Sequence, residues 1–389
     1  MKKKIIILGS TGSIGKSSLS AIYNKKNYKV SLLSTKSNVE KLYKQAIRNN
    51  VKQVIIEDKI SFNRYKNKFK KKKINVYLGH DNLNKIFKNK IDYCINSISG
   101  IEGLFPTLKI IPFTKNILIA NKESIICGWE LIQKNLQKYK TNFIPIDSEH
   151  FSIWSLIKNE DKQNIEKVIL TASGGPFLKK KIKNISNIKP NKAIRHPKWK
   201  MGKKISIDSS TMMNKIFEFI EAKKIFNLSN NQINILIHPN SFVHAIIYFK
   251  SNLIKFLAHD TDMKIPISNA LGIKDSINRK SISYKLKNLN DLNFEFPKIE
   301  TFPLLKILKL IPKTNSYFET ILITLNDELV LKYLKGEINY ISLQLNLLKL
   351  IKKPYIKRFY KLKPKNIYDI KNMIMITKNY LNKNLKYYE

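Results

Sequence analysis

Acidic residues are scarce in this chain: 28 aspartates and glutamates stand against 72 lysines and arginines, a formal net charge of +44 over 389 residues. Such a balance first suggests a nucleic-acid binder. Yet only five residues are arginine, the usual reader of base edges and phosphates. The lysines are spread along the whole length among asparagine, isoleucine and tyrosine, so most of the charge reads as solvated surface and no nucleic-acid partner is expected. The densest run, "KNKFKKKK" (66–73), reads as a solvated loop. Two cysteines, Cys94 and Cys127, make no disulfide framework and show no zinc spacing, which fits a reduced, cytoplasmic compartment. Long apolar runs are also missing. Four apolar residues follow "MKKK", short of the about 7–15 that a signal peptide needs, and nothing approaches the roughly 18 of a membrane span.

Glycine is sparse too, 12 in all, yet three fall within seven residues of the opening stretch "ILGSTGSIGKSS". Two phosphate-binding loops compete for it. A P-loop needs four residues between its first glycine and Gly-Lys-Ser. Gly9 and Gly15 are separated by five, which misplaces Lys16 for a β/γ-phosphate. A dinucleotide turn needs a strand, a tight glycine turn and a helix whose first amides face a pyrophosphate. Ile5–Leu8 and Lys16–Tyr23 supply strand and helix, with Gly9, Gly12 and Gly15 spaced G-x-x-G-x-x-G. At the end of the second strand an NAD-binding protein would place a carboxylate for the ribose hydroxyls. Here the residues are Ser34, Thr35, Lys36 and Ser37, a cation among hydroxyls, which favours NADP.

The first 147 residues alternate short β-rich runs with helical patterns, the signature of an α/β parallel sheet covered on both faces. From about residue 165 consecutive strands follow one another through short turns, with a hairpin expected in "SFVHAIIYFKSNLIKFLAH", hence an α+β region with antiparallel pairing. From Leu304 onward the pattern is helical.

With so few carboxylates, any cluster of them is informative. Asp147 and Glu149 in "PIDSEH" lie two apart at an expected strand end, where period two sends both to one face. Paired carboxylates repel unless a cation joins them, and hard oxygen ligands suit Mg²⁺ or Mn²⁺. Asn214, Lys215 and Glu218 share one face of a helix. Ser209 and Ser210 are placed at its N-cap, where hydroxyls and first-turn amides would hold an anion. Ser173 precedes two glycines after a strand, and "IRHPKWKMGKK" reads as a lid carrying His196 and Trp199. His238 and His244 lie in strand-like runs and read as structural.

The segments "LGSTGSIG", "ANKES", "PIDSEH", "SGGPF", "RHPKWKMGKKISIDSSTMMNK", "EFIEA" and "IHPNSFVH", in this order over roughly 1–270, resemble the 1-deoxy-D-xylulose 5-phosphate reductoisomerase family. The resemblance implies an N-terminal Rossmann-like, doubly wound NADPH-binding domain (1–147) and a catalytic and dimerisation domain with a mixed or antiparallel sheet (148–285). A linker (286–303) and a C-terminal helical domain (304–389) would follow. It implies a homodimer that isomerises 1-deoxy-D-xylulose 5-phosphate and reduces the product with NADPH and Mg²⁺, Mn²⁺ or Co²⁺. The cofactor would contact Gly9, Ser10, Thr11, Gly12, Ser13, Ile14, Gly15, Lys36, Asn38, Asn121, Lys122, Glu123 and Gly202. Asp147, Glu149 and Glu218 would hold the metal. Ser148, Ser173, Trp199, Ser209, Asn214 and Lys215 would join Lys122, Glu149, His196 and Glu218 around the phosphosugar, with Lys122, Glu149 and His196 catalytic and Met201 in the closing loop. "STKSNV" departs from the glycine-bearing loop of relatives, and the helical end matches only loosely.

Overall fold

A computed structural model describes residues 2–178, 188–199, 201–273 and 287–385. Its contacts group the chain into two compact units, Met1–Trp154 with Asp262–Arg279, and Ser155–Thr261 with Lys280–Glu389. The division expected from sequence differs in three respects: it gives 148–154 and 262–273 to the catalytic domain, and it sets the helical end apart as a third domain. Its boundary at 285/286 lies outside the described residues.

The first unit is a seven-stranded sheet in the order β4-β3-β2-β1-β5-β6-β7, every pair parallel. The strands are β1 (Lys3–Leu8), β2 (Tyr28–Thr35), β3 (Gln53–Ile56), β4 (Asn75–Leu78), β5 (Ile91–Asn96), β6 (Thr114–Ile119) and β7 (Asn142–Pro145). The central strands β1, β2, β3, β5 and β6 end in short Ile/Val/Leu-rich buried runs, because a strand covered on both faces has no polar side to show, whereas the edge strand β4 has no fully buried residue. Helices α1 (Ser13–Ile22), α2 (Val39–Arg48), α3 (Lys59–Lys70), α4 (Leu104–Ile110), α5 (Lys122–Lys138) and α6 (Ser148–Leu156) connect or follow them. Strand order reverses between β1 and β5, the place where open parallel sheets bind ligands beyond their strand ends. Helix α7 (Lys264–Leu271) returns to this unit and packs on α1, burying Ile267, Ala270 and Leu271 in the core that holds Leu19 and Ile22. The Tyr28 hydroxyl donates to the Leu271 carbonyl at 2.7 Å.

The lysine run 66–73 is helical as far as Lys70 and not a loop. Asp58 caps α3 by accepting from the Ser61 amide at 2.7 Å, and Phe69 is buried, so capping and one anchored aromatic outweigh the solvated lysines.

The second unit carries a mixed sheet, β11-β10-β8-β9, made of β8 (Ile165–Ala172), β9 (Ile233–Ile237), β10 (Val243–Phe249) and β11 (Ile254–Ala258). The expected hairpin is β10 paired antiparallel with β11. Strand β8 runs antiparallel to β10 and parallel to β9. Helices α8 (Lys203–Ser210), α9 (Met213–Phe226), α10 (Phe318–Lys335), α11 (Tyr340–Leu350) and α12 (Ile367–Asn384) complete it. The helical end is fastened inward by polar bonds. Tyr340 donates to the Ser210 carbonyl at 2.8 Å, Asn326 donates to Asp208 at 2.8 Å, and Lys224 pairs with Glu319 at 3.0 Å. Among the described residues no helix is long and apolar enough to cross a membrane.

Candidate active site

The glycine turn sits at the switch point. Gly9 follows β1 at φ +74°, and a Cβ there would meet Ser97 and Ile98 backbone at 2.9 Å, so conformation and space both require glycine. The turn is held by its surroundings: the Ser10 amide donates to the Ser34 carbonyl at 2.9 Å and the Gly9 amide to the Ser34 hydroxyl at 3.0 Å. Ser10, fully buried, donates its hydroxyl to Gln45 at 2.8 Å and accepts from the Gln45 amide on its carbonyl at 2.9 Å. Thr11 and Thr35 hydroxyls share a hydrogen at 2.8 Å.

Helix α1 begins at Ser13, three residues before the expected start, so Ser13, Ile14 and Gly15 form its first turn. Its N-cap, Gly12, offers no side-chain acceptor, which leaves the first amides for an anion. Lys16 lines a groove between α1 and α2 and not the turn itself, as the spacing against a P-loop indicated.

Lys36 and Asn38 stand exposed at the end of β2 and the start of α2. Lys36 is close enough to help hold Glu57 below the usual carboxylate range, although the chief cause there is the hydrogen bond from His80, whose Nδ1 lies 2.6 Å from the carboxylate. Asn121 caps α5: its oxygen accepts from the Ser124 amide at 2.6 Å, and its amide donates to the Ile98 and Gly100 carbonyls at 2.6 and 2.7 Å. Its side chain is thus committed to tying the β5 and β6 loops, with Glu123 beside it at 3.3 Å.

Asp147 and Glu149 are not on a strand. β7 stops at Pro145, and Glu149 lies in the first turn of α6, so the period-two argument fails. The helical turn nonetheless brings an oxygen of each within 4.8 Å of the other. Asp147 accepts from the buried Lys122 ammonium through one oxygen and faces His150 Nδ1 at 3.0 Å through the other. Burial pushes its carboxyl up, but Lys122 and His150 together outweigh this and hold it well below the usual range. Ser148 donates to Glu149.

In the second unit β8 delivers Ser173 into a turn with Gly174 and Gly175 at φ +76° and +65°. A Cβ on Gly175 would come within 3.0 Å of the Ser209 carbonyl, so the glycines let this turn lie directly against the end of α8. Ser209 and Ser210 therefore stand in the last turn of α8 and not at an N-cap. The break before α9 is made by Met212, buried in the left-handed region at φ +64°. Ser210 is buried, donating to the Ile207 carbonyl at 2.7 Å.

His196 Nδ1 accepts from the Trp199 and Lys198 amides at 2.9 and 3.1 Å, which puts the ring's proton on Nε2. Nε2 then donates to Ser173 Oγ at 2.9 Å, and the Gly175 amide donates to the same oxygen at 3.1 Å. With both its lone pairs engaged, the Ser173 hydroxyl can act toward a further group only as a donor. Burial lowers the His196 pKa to about 4, so the neutral ring assumed here is the form present at neutral pH. Trp199 packs edge-on to His244 with centroids 6.0 Å apart. His244 stacks on His259, and His238 bonds the Asn293 carbonyl at 2.9 Å.

On α9 the expected shared face is present. Glu218, 1% exposed, accepts from Asn214 at 2.6 Å and from the Lys215 ammonium. Asp147, half-buried, and Glu218, buried, are each balanced by a buried lysine, Lys122 and Lys215, as charge withdrawn from water requires. Gly202 is the N-cap of α8 with open space around it, and Met201 precedes it. Three contributors escaped the sequence reading. Gln45 and Ser97 depend on tertiary contact alone, whereas His150 could have been found three residues from Asp147 by helical spacing.

A glycine turn feeding a helix at the switch point of a parallel sheet, in a chain with lysine-paired carboxylates at Asp147 and Glu218, defines a dinucleotide-type oxidoreductase. Family models described as 1-deoxy-D-xylulose 5-phosphate reductoisomerase, its C-terminal domain, and the DXP reductoisomerase C-terminal domain match residues 5–128, 143–226 and 259–379. A reductoisomerase of Pelagibacter ubique is 50% identical over 374 residues, covering 95% of this chain and 96% of that one. One from Wolbachia pipientis wMel is 39% identical, covering 88% of each. Among solved structures, a DOX-P reductoisomerase in complex with NADPH, fosmidomycin and magnesium shares 30% identity with a TM-score of 0.89, covering 99% of this chain and 98% of that one. The Zymomonas mobilis enzyme in complex with NADPH shares 28% with a TM-score of 0.86, covering 97% and 98%. The chain belongs to the 1-deoxy-D-xylulose 5-phosphate reductoisomerase family.

Proposed function

We infer that this chain carries out its family's reaction, converting 1-deoxy-D-xylulose 5-phosphate by isomerisation and NADPH-dependent reduction into 2-C-methyl-D-erythritol 4-phosphate, the committed step of a route to isoprenoids. The observation that carries this reading is the recurrence of a carboxylate paired with a buried lysine, half-buried at Asp147 and fully buried at Glu218, in a chain with a dinucleotide turn. Gly9 to Gly15, with Lys36, Asn38, Lys122, Glu123 and Gly202, are assigned to NADPH. Asn121 serves through its backbone, since its side chain is spent on Ile98 and Gly100. Lys36 among hydroxyls, with no carboxylate on the end of β2, suits a 2′-phosphate.

Asp147, Glu149 and Glu218 are assigned to one Mg²⁺, Mn²⁺ or Co²⁺. The bound cofactor supplies hydride and the ion a Lewis acid for the ketone and its neighbouring hydroxyl. Asp147, held ionised by the Lys122 ammonium and His150, fits such an ion because it need not lose a proton on binding. His150 orients Asp147, and Lys122 holds it ionised near the reacting carbon chain. Ser148 shares that place.

Ser173 donates its hydroxyl to the substrate phosphate, fixed in that role by His196. Ser209, Asn214 and Lys215 complete the phosphate site, Lys215 moving from carboxylate to phosphate. The stretch bearing His196, Trp199 and Met201 covers the reacting chain and excludes water from it. Binding energy from the phosphate is thereby used to position the carbon skeleton.

Two copies are assigned to the working enzyme. Strand β11 is a sheet edge whose Ile254 and Phe256 are 53% and 46% exposed, with Leu253 just before it 61% exposed, an apolar edge suited to meeting its own copy. The buried cysteines Cys94 and Cys127, in no disulfide, suit the cytoplasm.

The test supplies deoxyxylulose phosphate, Mn²⁺ and NADPH and follows nicotinamide absorbance. Oxidation should require metal and collapse by at least about a hundredfold in Glu218→Gln, while Lys215→Ala raises KM more than it lowers kcat. Full turnover in Glu218→Gln would reject the metal assignment. Sedimentation should give a dimer that Phe256→Lys splits; a monomeric wild type removes the homodimer.

A further inference from the structure

Outside the glycine turn, the first unit carries a groove of about 320 Å³ between α1 and α2, lined by Lys16, Leu19, Ser20, Tyr23, Lys41, Gln45, Arg48 and Asn49. Three of these are cations and none is a carboxylate. In so basic a chain isolated lysines mean nothing, but convergence on one concave surface has an electrostatic cost that ordinary surface lysines avoid. Burial first, and then the neighbouring Lys16 ammonium, lower the proton affinity of Lys41. The one acid of α2, Glu40, is tied to Lys68 of α3 at 2.8 Å. Helix α1 has no acid at all.

The groove is also pre-shaped. Both polar atoms of Gln45 are held by Ser10, which fixes the floor. Arg48 lies over the Tyr23 ring with its guanidinium carbon 4.4 Å from the centroid, a stacking that leaves its N–H edges available to a ligand. Ser20 and Asn49 add neutral polar groups, and Leu19 with Tyr23 gives one apolar wall. The volume is at the low end for small-molecule sites, about 300–1,000 Å³, enough for a diphosphate with a small organic part and too little for a whole dinucleotide.

We propose that the groove between α1 and α2 is a second anion site, separate from the cofactor turn, which takes a compact, multiply charged phosphate compound of the diphosphate class. Lys16 and Lys41 neutralise its charge, and Arg48 meets its oxygens with paired N–H donors.

The experiment titrates inorganic pyrophosphate calorimetrically into the full chain saturated with NADPH, at moderate salt to suppress diffuse attraction. Expected is a binding event weakened about tenfold in Lys41→Ala and again in Arg48→Ala, with NADPH affinity unchanged and with Lys44→Ala, outside the groove on the same helix, equal to wild type. Equal affinity in all four proteins means diffuse binding to a basic surface and overturns the proposal. A matching loss of NADPH affinity in the two groove variants makes the groove part of the cofactor site and overturns it equally.

Discussion

Gly15→Ala sets two effects of known size against each other. In a helix interior, alanine is better than glycine by about 1 kcal/mol, and Gly15 lies in the first turn of α1. The added methyl, however, would stand 2.5 Å from Ser10 Cα and 2.6 Å from the Gly9 oxygen and Ser10 carbonyl carbon, where carbon atoms prefer about 3.5–4.0 Å. All three are backbone atoms, and Ser10 cannot retreat without loosening its bonds to Ser34 and Gln45. Overpacking of this kind costs about 1–3 kcal/mol, and each loosened hydrogen bond about 1 kcal/mol more. The clash therefore wins: urea unfolding should show a net loss of about 1–3 kcal/mol, and NADPH fluorescence titration should show affinity down by about tenfold or more. Gly12→Ala is the control. Its methyl meets nothing closer than the Gly9 oxygen at 3.4 Å, so stability should change by less than about 0.5 kcal/mol while NADPH affinity still falls, because the methyl roughens the face that the pyrophosphate approaches. A Gly15→Ala protein with wild-type stability and full NADPH affinity would refute the packing argument.

Three further outcomes are expected. His196 is held at a pKa of about 4 against an ordinary 6.5, so its stabilising share is complete above pH 6.5 and is lost as pH falls towards 4. The stability difference between wild type and His196→Gln should therefore shift against wild type over that window, and a pH-independent difference in urea midpoints contradicts it. Tyr340→Phe removes the donor to the buried Ser210 carbonyl and should cost about 1–2 kcal/mol in urea unfolding; unchanged stability would show that bond to be worth nothing. Metal-free Glu218→Gln leaves Lys215 without its buried charge partner and should lose about 3 kcal/mol, so a melting temperature equal to wild type speaks against that pairing.

The seven strands of the first sheet were legible because each is a short apolar run closed by polar or turn residues, and the β10–β11 hairpin because its turn is local. Asn214, Lys215 and Glu218 were legible for the same reason: helical spacing alone puts them on one face. The errors came where several local signals compete. Asp147 and Glu149 fit a strand end as well as a helical first turn, and only the stop of β7 at Pro145 decides between them. Two consecutive serines suggest an N-cap, yet the true break follows them at Met212, whose left-handed backbone no sequence rule assigns to methionine. The lysine run hid a helix because its cap, Asp58, lies well upstream. Gln45 holding Ser10, and α7 returning to the first core, belong to tertiary structure and leave no periodic trace.

That return of α7 has a consequence for biosynthesis. The core under α1 lacks Ile267, Ala270 and Leu271 until the whole of 155–261 has left the ribosome, roughly 5–20 s at about 5–20 residues per second. The nascent amino-terminal half must wait for a plug encoded more than a hundred codons downstream, with Leu19 and Ile22 uncovered in the meantime, an interval in which a chaperone has something to hold.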